Sequence, residues 1–284
     1  MRAKIHGKVK KKIYIPFLAY FLLGYLVKTL MQRIHFVPCK LYSFEDEEER
    51  EKLGQFAIYS YSFGNYRNEL RGIRDMLLSF NIYGIDSYFF TDKRLFPIDG
   101  WEIIYVNYED IKTSNPSRSM GKKLKFHFHP KLLKYRYLIH SDAGNHRLKQ
   151  MHKWLARGLI FHVLENPKYA LFIGEHPDRT TIEQEVSVLF ELSRLQPQQE
   201  LANWRKFLAN KFYELNKVKL PQTCTWVLDT HDVDFVHHWS EIYEVLHKHG
   251  LWRDQIVFSY TMVSQYQKIK YISLNNSGVP IWGK

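Results

Sequence analysis

The sequence predicts an α/β protein, a layered sheet flanked by helices, and two observations carry that expectation. From Gln55 onward, short apolar runs of strand-like composition alternate with stretches whose apolar residues recur at helical spacing. Several of those runs also close on an acid or a small turn residue, as strands do where a layered sheet receives its ligand. Composition agrees. The 284 residues are 45% hydrophobic and 25% charged, an ordinary globular balance. Aromatics reach 16%, which suits a β-containing core and a site that stacks flat ligands or sugars.

The chain begins with a basic tail, residues 1–12, carrying Arg2, Lys4, Lys8, Lys10, Lys11 and Lys12 and no acid. Formal charge is +12; without those six, 35 basic residues face 29 acidic ones. Half of the excess is thus one short tail, which argues against a general nucleic-acid surface and leaves room for a modest basic cleft. Ile13 to Val27 carries no charge. Fifteen residues at about 1.5 Å span only about 22 Å, so the membrane segment is extended through Met31, with Lys28 snorkelling to the interface. The basic cluster ahead of it keeps the N-terminus cytoplasmic. No small-x-small cleavage site follows Val27, so residues 13–31 read as a type II signal anchor rather than a signal peptide or a core helix. Residues 32–54, with the charged run Ser43 to Lys52, read as a stem. The catalytic domain is 55–284.

Within that domain, Phe56 to Ser62 predicts the first strand, broken at Phe63-Gly64-Asn65. Tyr66 to Phe80 has Leu70, Ile73, Leu77 and Phe80 at helical spacing. Ile85 to Asp92 and Trp101 to Asn107 are the next strands. Lys122 to Leu133 reads as a helix or turn-rich link, with His127-Phe128-His129 alternating like a strand. Tyr135 to Ile139 is a strand that stops at His140-Ser141-Asp142. Leu148 to Leu164 is helical and Tyr169 to Glu175 a strand. Thr181 to Leu195 is a helix capped by Thr180 or Thr181, with Glu183 and Glu185 on its positive end. Leu201 to Leu215 is helical, Cys224 to Thr230 a strand ending at Asp229, and His238 to Lys248 a helix. Arg253 to Met262 begins polar and turns apolar.

Ligands of such sheets bind outside the carboxyl ends of strands. The strand-end polar set is Asp92, Asp142, His176 with Arg179, Asp229, and Arg253-Asp254-Gln255. An acid there can hold a hard divalent cation, and Lys122, Lys123, Lys125, Arg179 and Arg253 can pair with a diphosphate. The acidic run Asp229 to Asp234 reads either as a metal loop or as a solvated turn. Cys39 and Cys224 form no CxxC pair; they are two independent thiols or one disulfide. GxSxG, P-loop, HExxH and GxGxxG motifs are all missing from the sequence.

The order of pieces resembles a GT-A-like glycosyltransferase family long catalogued as a domain of unknown function, which includes plant Golgi galacturonosyltransferases that build pectin. The stretches that carry it are FAIYSYSFGNY, SYFFTD, GWEIIYV, GKKLKFHFHP followed by KYRYLIHSDAG, HPDRTTIEQE and LWRDQIVFSY, spanning Gln55 to Met262. YLIHSDA and RDQIVFSY are the most specific. The resemblance implies sugar transfer from a nucleotide-sugar donor to a glycan acceptor, by a membrane protein that is Golgi-resident in a eukaryotic host. It implies that Asp142 holds the diphosphate, through Mn²⁺ or Mg²⁺ if a metal is used, and that Lys123 or Lys125 faces the donor phosphates. His176, Arg179 and Glu183 would line the donor or acceptor site, and Arg253, Asp254 and Gln255 would close it. Asp254 is then the expected general base, with His176 second. This sequence reads Asp-Ala-Gly at 142–144, without a second acid two residues on. The alternative is a membrane-anchored carbohydrate-binding or scaffold protein without catalysis.

Overall fold

The computed structural model describes residues 47–64, 77, 84–191 except 96, 110, 112 and 114, then 202–204, 206–207, and 219–281 except 276, 277 and 279. The basic tail, the anchor and most of the stem lie outside the described residues, as do Cys39 and nearly all of the expected helix at 66–80. No helix among the described residues is long and apolar enough to cross a membrane.

Seven strands form one mixed sheet: β1 (Phe56–Ser62), β2 (Asp86–Thr91), β3 (Glu102–Tyr105), β4 (Tyr137–Ser141), β5 (Leu171–Glu175), β6 (Pro221–Asp229) and β7 (Ile269–Ile272). Their order is β3-β2-β1-β4-β6-β5-β7. β1 pairs in parallel with β2 on one side and with β4 on the other. The chain therefore leaves β1 toward β2 and β3, then returns to the opposite side, which opens a crevice between the carboxyl ends of β1 and β4. β6 runs antiparallel to both its neighbours, with Tyr137 opposite Asp229 and Ser141 opposite Thr225.

Side chains alternate across the sheet, as a pleated strand requires. Ala57 and Tyr59 face one apolar layer, Phe56 and Ile58 the other. The first layer is covered by α2 (Pro116–His127), α6 (Val233–His249) and α7 (Asp254–Thr261), through Phe126, Trp239, Leu246 and Ile256 among others. The second is covered by α3 (Asn145–Ala156) and α4 (Leu159–Leu164), through Leu148, Met151, Trp154 and Ile160. Before the sheet, α1 (Glu47–Gly54) buries Leu53 in this second layer, so the end of the stem packs onto the domain. Each fully buried Leu, Ile or Phe contributes roughly 1.5–3 kcal/mol, which makes these two layers the main source of stability.

Several boundaries differ from expectation, each for a local reason. α2 starts at Pro116 because the Asn115 side chain accepts the Arg118 N–H, and proline fits the first turn. His127 ends that helix instead of starting a strand. The single helix expected over 148–164 is two, broken at Gly158, whose φ of 85° suits only glycine comfortably. α5 (Ile182–Glu191) lies within the helix expected over 181–195, of which residues 192–195 are outside the described set. α6 begins five residues early because Asp232 caps it, accepting from the Phe235 N–H at 3.1 Å. The acidic run 229–234 is thereby structural: Asp232 caps, and Asp229 is buried against Arg136 at 3.1 Å. β7 was not anticipated at all. Cys224 is a buried free thiol.

Candidate functional site

A cleft of about 390 Å³ opens at the carboxyl ends of β1 and β4. One wall is the end of β1, Tyr61-Ser62-Phe63. The floor is Asp142-Ala143-Gly144 after β4, with Arg147 from the first helical turn beyond it. β6 contributes its first residues, Gln222 to Cys224, because it runs the opposite way; the Asp142 N–H donates to the Cys224 carbonyl at 2.8 Å and fixes that join. α2 supplies Ser117, Arg118, Gly121 and Lys122. The turn after β5 supplies His176 and Arg179, α5 supplies Glu185, and Trp252 to Gln255 close the rim.

Of the residues expected from the sequence, Asp142, His176, Arg179, Arg253, Asp254 and Gln255 all line this one cleft. Lys125 lies beneath it, 1% exposed. Lys123 is exposed on the outer face of α2, and Lys122 takes the position toward the cleft. Glu183 is not among the lining residues, whereas Glu185 is. Asp92 stands apart from the cleft lining: its carboxylate accepts from the Gly64 N–H at 3.1 Å and from the Tyr108 hydroxyl at 2.7 Å, tying down the turn after β1. Asp229 sits at the opposite edge of the sheet, because the strand it ends is antiparallel.

The charged centre is a quartet. Asp254 Oδ2 accepts from both Lys122 Nζ and Lys125 Nζ at 2.8 Å. Lys125 Nζ also lies 3.7 Å from Asp142 Oδ1, which His140 Nε2 approaches at 3.1 Å. Burial alone would raise Asp254, but the two ammonium groups outweigh it and hold the carboxyl well below the usual range. Enclosure raises Asp142 as well, and Lys125 with the His140 hydrogen bond brings it to about 2. Its side chain is still 41% exposed, so it is an ionised carboxylate open to the cleft. Burial lowers His140 to about 4. The neutral ring, packed between Tyr61 at 5.4 Å and Trp226 at 4.9 Å, acts as a rigid donor to Asp142. Burial likewise lowers Lys122 to about 8 against the pull of Asp254, while Lys125, with two carboxylates beside it, is raised despite its burial.

Around the quartet the balance is cationic. Arg118, Lys122, Arg147, Arg179 and Arg253 line the cleft against Asp142, Glu185 and Asp254. Arg179 pairs with the buried Glu185. Arg253 Nε is buried without a hydrogen-bond partner among the described residues. Burial and the Arg179 charge push His176 down to about 4, and its Nδ1 accepts from the Asp178 and Arg179 N–H groups, so it shapes the turn. The mouth is aromatic: Tyr61 stacks on Phe63 at 5.9 Å, and Arg118 lies over Trp252 at 5.2 Å. A Cβ at Gly121 would come within 2.8 Å of the Tyr61 ring, so the missing side chain is what lets that ring approach α2 so closely.

Sequence reasoning missed Arg147, Gln222, Thr223 and Gly121. Lys122 and Lys125 lie three residues apart on one helix face, with Lys123 on the other, and that spacing was available in the sequence.

No family model matches the chain, and no curated protein does. Among solved structures it is similar to core-mannan synthase A of Aspergillus fumigatus in a Mn/GDP form, at 12% identity and TM-score 0.42, over 82% of this chain and 75% of that one. It is similar to the mannosyltransferase Ktr4p of S. cerevisiae at 13% identity and TM-score 0.42, over 78% and 69%. A third is 4-diphosphocytidyl-2C-methyl-D-erythritol synthase from Anaerococcus prevotii, at 9% identity and TM-score 0.38, over 84% and 95%. These likenesses are distant, and the cleft's own chemistry is what bears on function.

Proposed function

We propose that this protein is a glycosyltransferase that moves a sugar from a nucleoside-diphosphate donor to a glycan or glycoconjugate acceptor. One observation carries the reading: at the switch point of the sheet, an ionised carboxylate open to the cleft stands inside a ring of lysine and arginine, below an aromatic mouth. Each part answers one part of such a donor. Cations match a diphosphate, flat rings match a base, and a carboxylate accepts from sugar hydroxyls. The GT-A-like resemblance of the sequence points to the same chemistry. In this reading Asp142 faces the sugar, and Lys122, Arg147 and Arg253 face the diphosphate. Asp254, too weak a base between two ammonium groups, positions the lysines, and His176 shapes the turn that presents Arg179. Residues 13–31 anchor the domain as a type II membrane protein, in the Golgi if the host is eukaryotic. Alkaline carbonate extraction tests the anchor, since release of the full-length chain into the supernatant would remove it.

The reading is tested by incubating the protein with a panel of nucleotide sugars and measuring free nucleoside diphosphate. Slow release from one of them without acceptor, accelerated by a glycan, is expected. Binding without any release would instead mark a non-catalytic carbohydrate binder.

Two further results are expected. Lys122 donates only while protonated, and its pKa in the free cleft is about 8. Affinity for a nucleoside diphosphate should therefore fall by about half between about pH 7 and 8, and by up to about tenfold per unit above that. Calorimetric titration across pH reads this directly, and a flat profile to about pH 10 would remove Lys122 from the phosphate site. Gly121→Ala should leave the fold in place, since alanine favours a helix interior by about 0.5–1 kcal/mol over glycine. It displaces the Tyr61 ring and should weaken nucleotide binding about 3- to 10-fold, the worth of one aromatic stacking contact.

A further inference from the structure

A diphosphate can be neutralised by a divalent ion or by side chains, and the donor set here distinguishes the two. A hard cation needs several oxygen ligands that are free to approach it. Asp142 Oδ1 already has His140 Nε2 at 3.1 Å and the buried Lys125 ammonium at 3.7 Å. The next carboxylate, Asp254, is committed to two ammonium groups at 2.8 Å. Two residues beyond Asp142 the chain offers Gly144, with no side-chain ligand. Among the described residues, no three His, Cys, Asp or Glu side chains gather to hold a metal. An ion placed on Asp142 would also face the Lys125 ammonium, which is 1% exposed and fixed by Asp254, so water could not screen the repulsion. The residues present do not fit a Mn²⁺ or Mg²⁺ ion.

They do fit the alternative. Lys122 is 18% exposed, enough to turn from Asp254 toward a phosphate oxygen while Lys125 keeps that carboxylate neutralised. Arg253 brings a buried Nε donor without a partner among the described residues, and Arg147 reaches the same cleft from the first turn of α3. We propose that this cleft binds the diphosphate of its donor without a divalent metal, with Lys122, Arg147 and Arg253 supplying the charge. The inference rests on the nucleotide-sugar reading above and goes beyond it.

The test is calorimetry on the full-length chain in detergent, titrating UDP, GDP, CDP and ADP in EDTA and again in MnCl₂. The nucleotide that binds should do so in EDTA with an affinity within about threefold of that in Mn²⁺. Lys122→Met should weaken binding in EDTA by about tenfold or more, and Lys122→Arg should restore most of it, the loss of one charge-assisted contact and its replacement. A thermal melt of each variant separates lost binding from lost folding. Binding that needs Mn²⁺, or that Lys122→Met in a folded protein leaves unchanged, overturns the inference and leaves the nucleotide-sugar reading standing. Failure of all four nucleotides in both buffers overturns the two together.

Discussion

Replacing Asp254 with Ala is expected to lower the melting temperature by about 6–20 °C. The carboxylate is 9% exposed and is the shared partner of two lysines, one of them 1% exposed. Removing it leaves the Lys125 ammonium buried with Asp142 alone, 3.7 Å away. Breaking a buried ion pair from one side costs about 3–5 kcal/mol, and about 2–4 °C accompanies each kcal/mol in a domain of this size. Lys125→Met in the same background should recover part of the loss, because it removes the stranded charge while Lys122 retains access to water. The two substitutions are therefore expected to be strongly non-additive. The acid limb should change too. Asp254 and Asp142 are both held below their unfolded value of about 3.9. Each contributes stability that is present above about pH 4 and is lost as pH falls, for Asp142 through about 2 and for Asp254 lower still. Asp254→Ala should flatten that limb. A melting temperature within about 2 °C of wild type would show that the quartet does not hold the cleft floor.

What the sequence revealed and what it hid divide along strand direction and helix phase. The alternation that predicts the sheet is local, so β1, β2, β4 and β5 could be found within a few residues. Asp142 and Asp254 were legible for the same reason: each is the first acid met after or before an apolar run, Asp142 behind His140-Ser141 and Asp254 ahead of Gln255. Asp229 ends an apolar run in the same way, yet β6 is antiparallel to β4, and its end lies opposite Tyr137 at the far edge of the sheet. Nothing local in CTWVLDT encodes that direction; it comes from pairing with β4 and β5, residues far away in sequence. The same reversal delivers Gln222 and Thr223, which no local pattern marks, into the cleft. Asp92 ends a parallel strand at the correct edge, but Tyr108 and the Gly64 turn engage its carboxylate first. The choice of Lys122 over Lys123 was a matter of helix phase, and it depended on seeing that Asn115 starts the helix six residues earlier than the apolar pattern suggests.

Asp142→Asn should leave the domain folded and cost about 10²–10³ in transfer rate. The fold should survive because Asp254 still neutralises Lys125 at 2.8 Å, and an asparagine oxygen can still accept from His140. Catalysis should not. Breaking a glycosidic bond to a leaving diphosphate gives the sugar oxocarbenium-like positive charge, and Asp142 is the carboxylate open toward that space. Preorganised groups aimed at charge that develops in the transition state are typically worth that factor each. The substitution separates two roles cleanly. If Asp142 acts on the sugar, turnover falls while affinity for the nucleoside diphosphate is kept or rises, since one negative charge beside the phosphates has gone. If Asp142 instead holds the donor through a metal, both fall together. Single-turnover rates and diphosphate titrations on the same preparation decide between them, and turnover at the wild-type rate would remove Asp142 from the chemistry altogether.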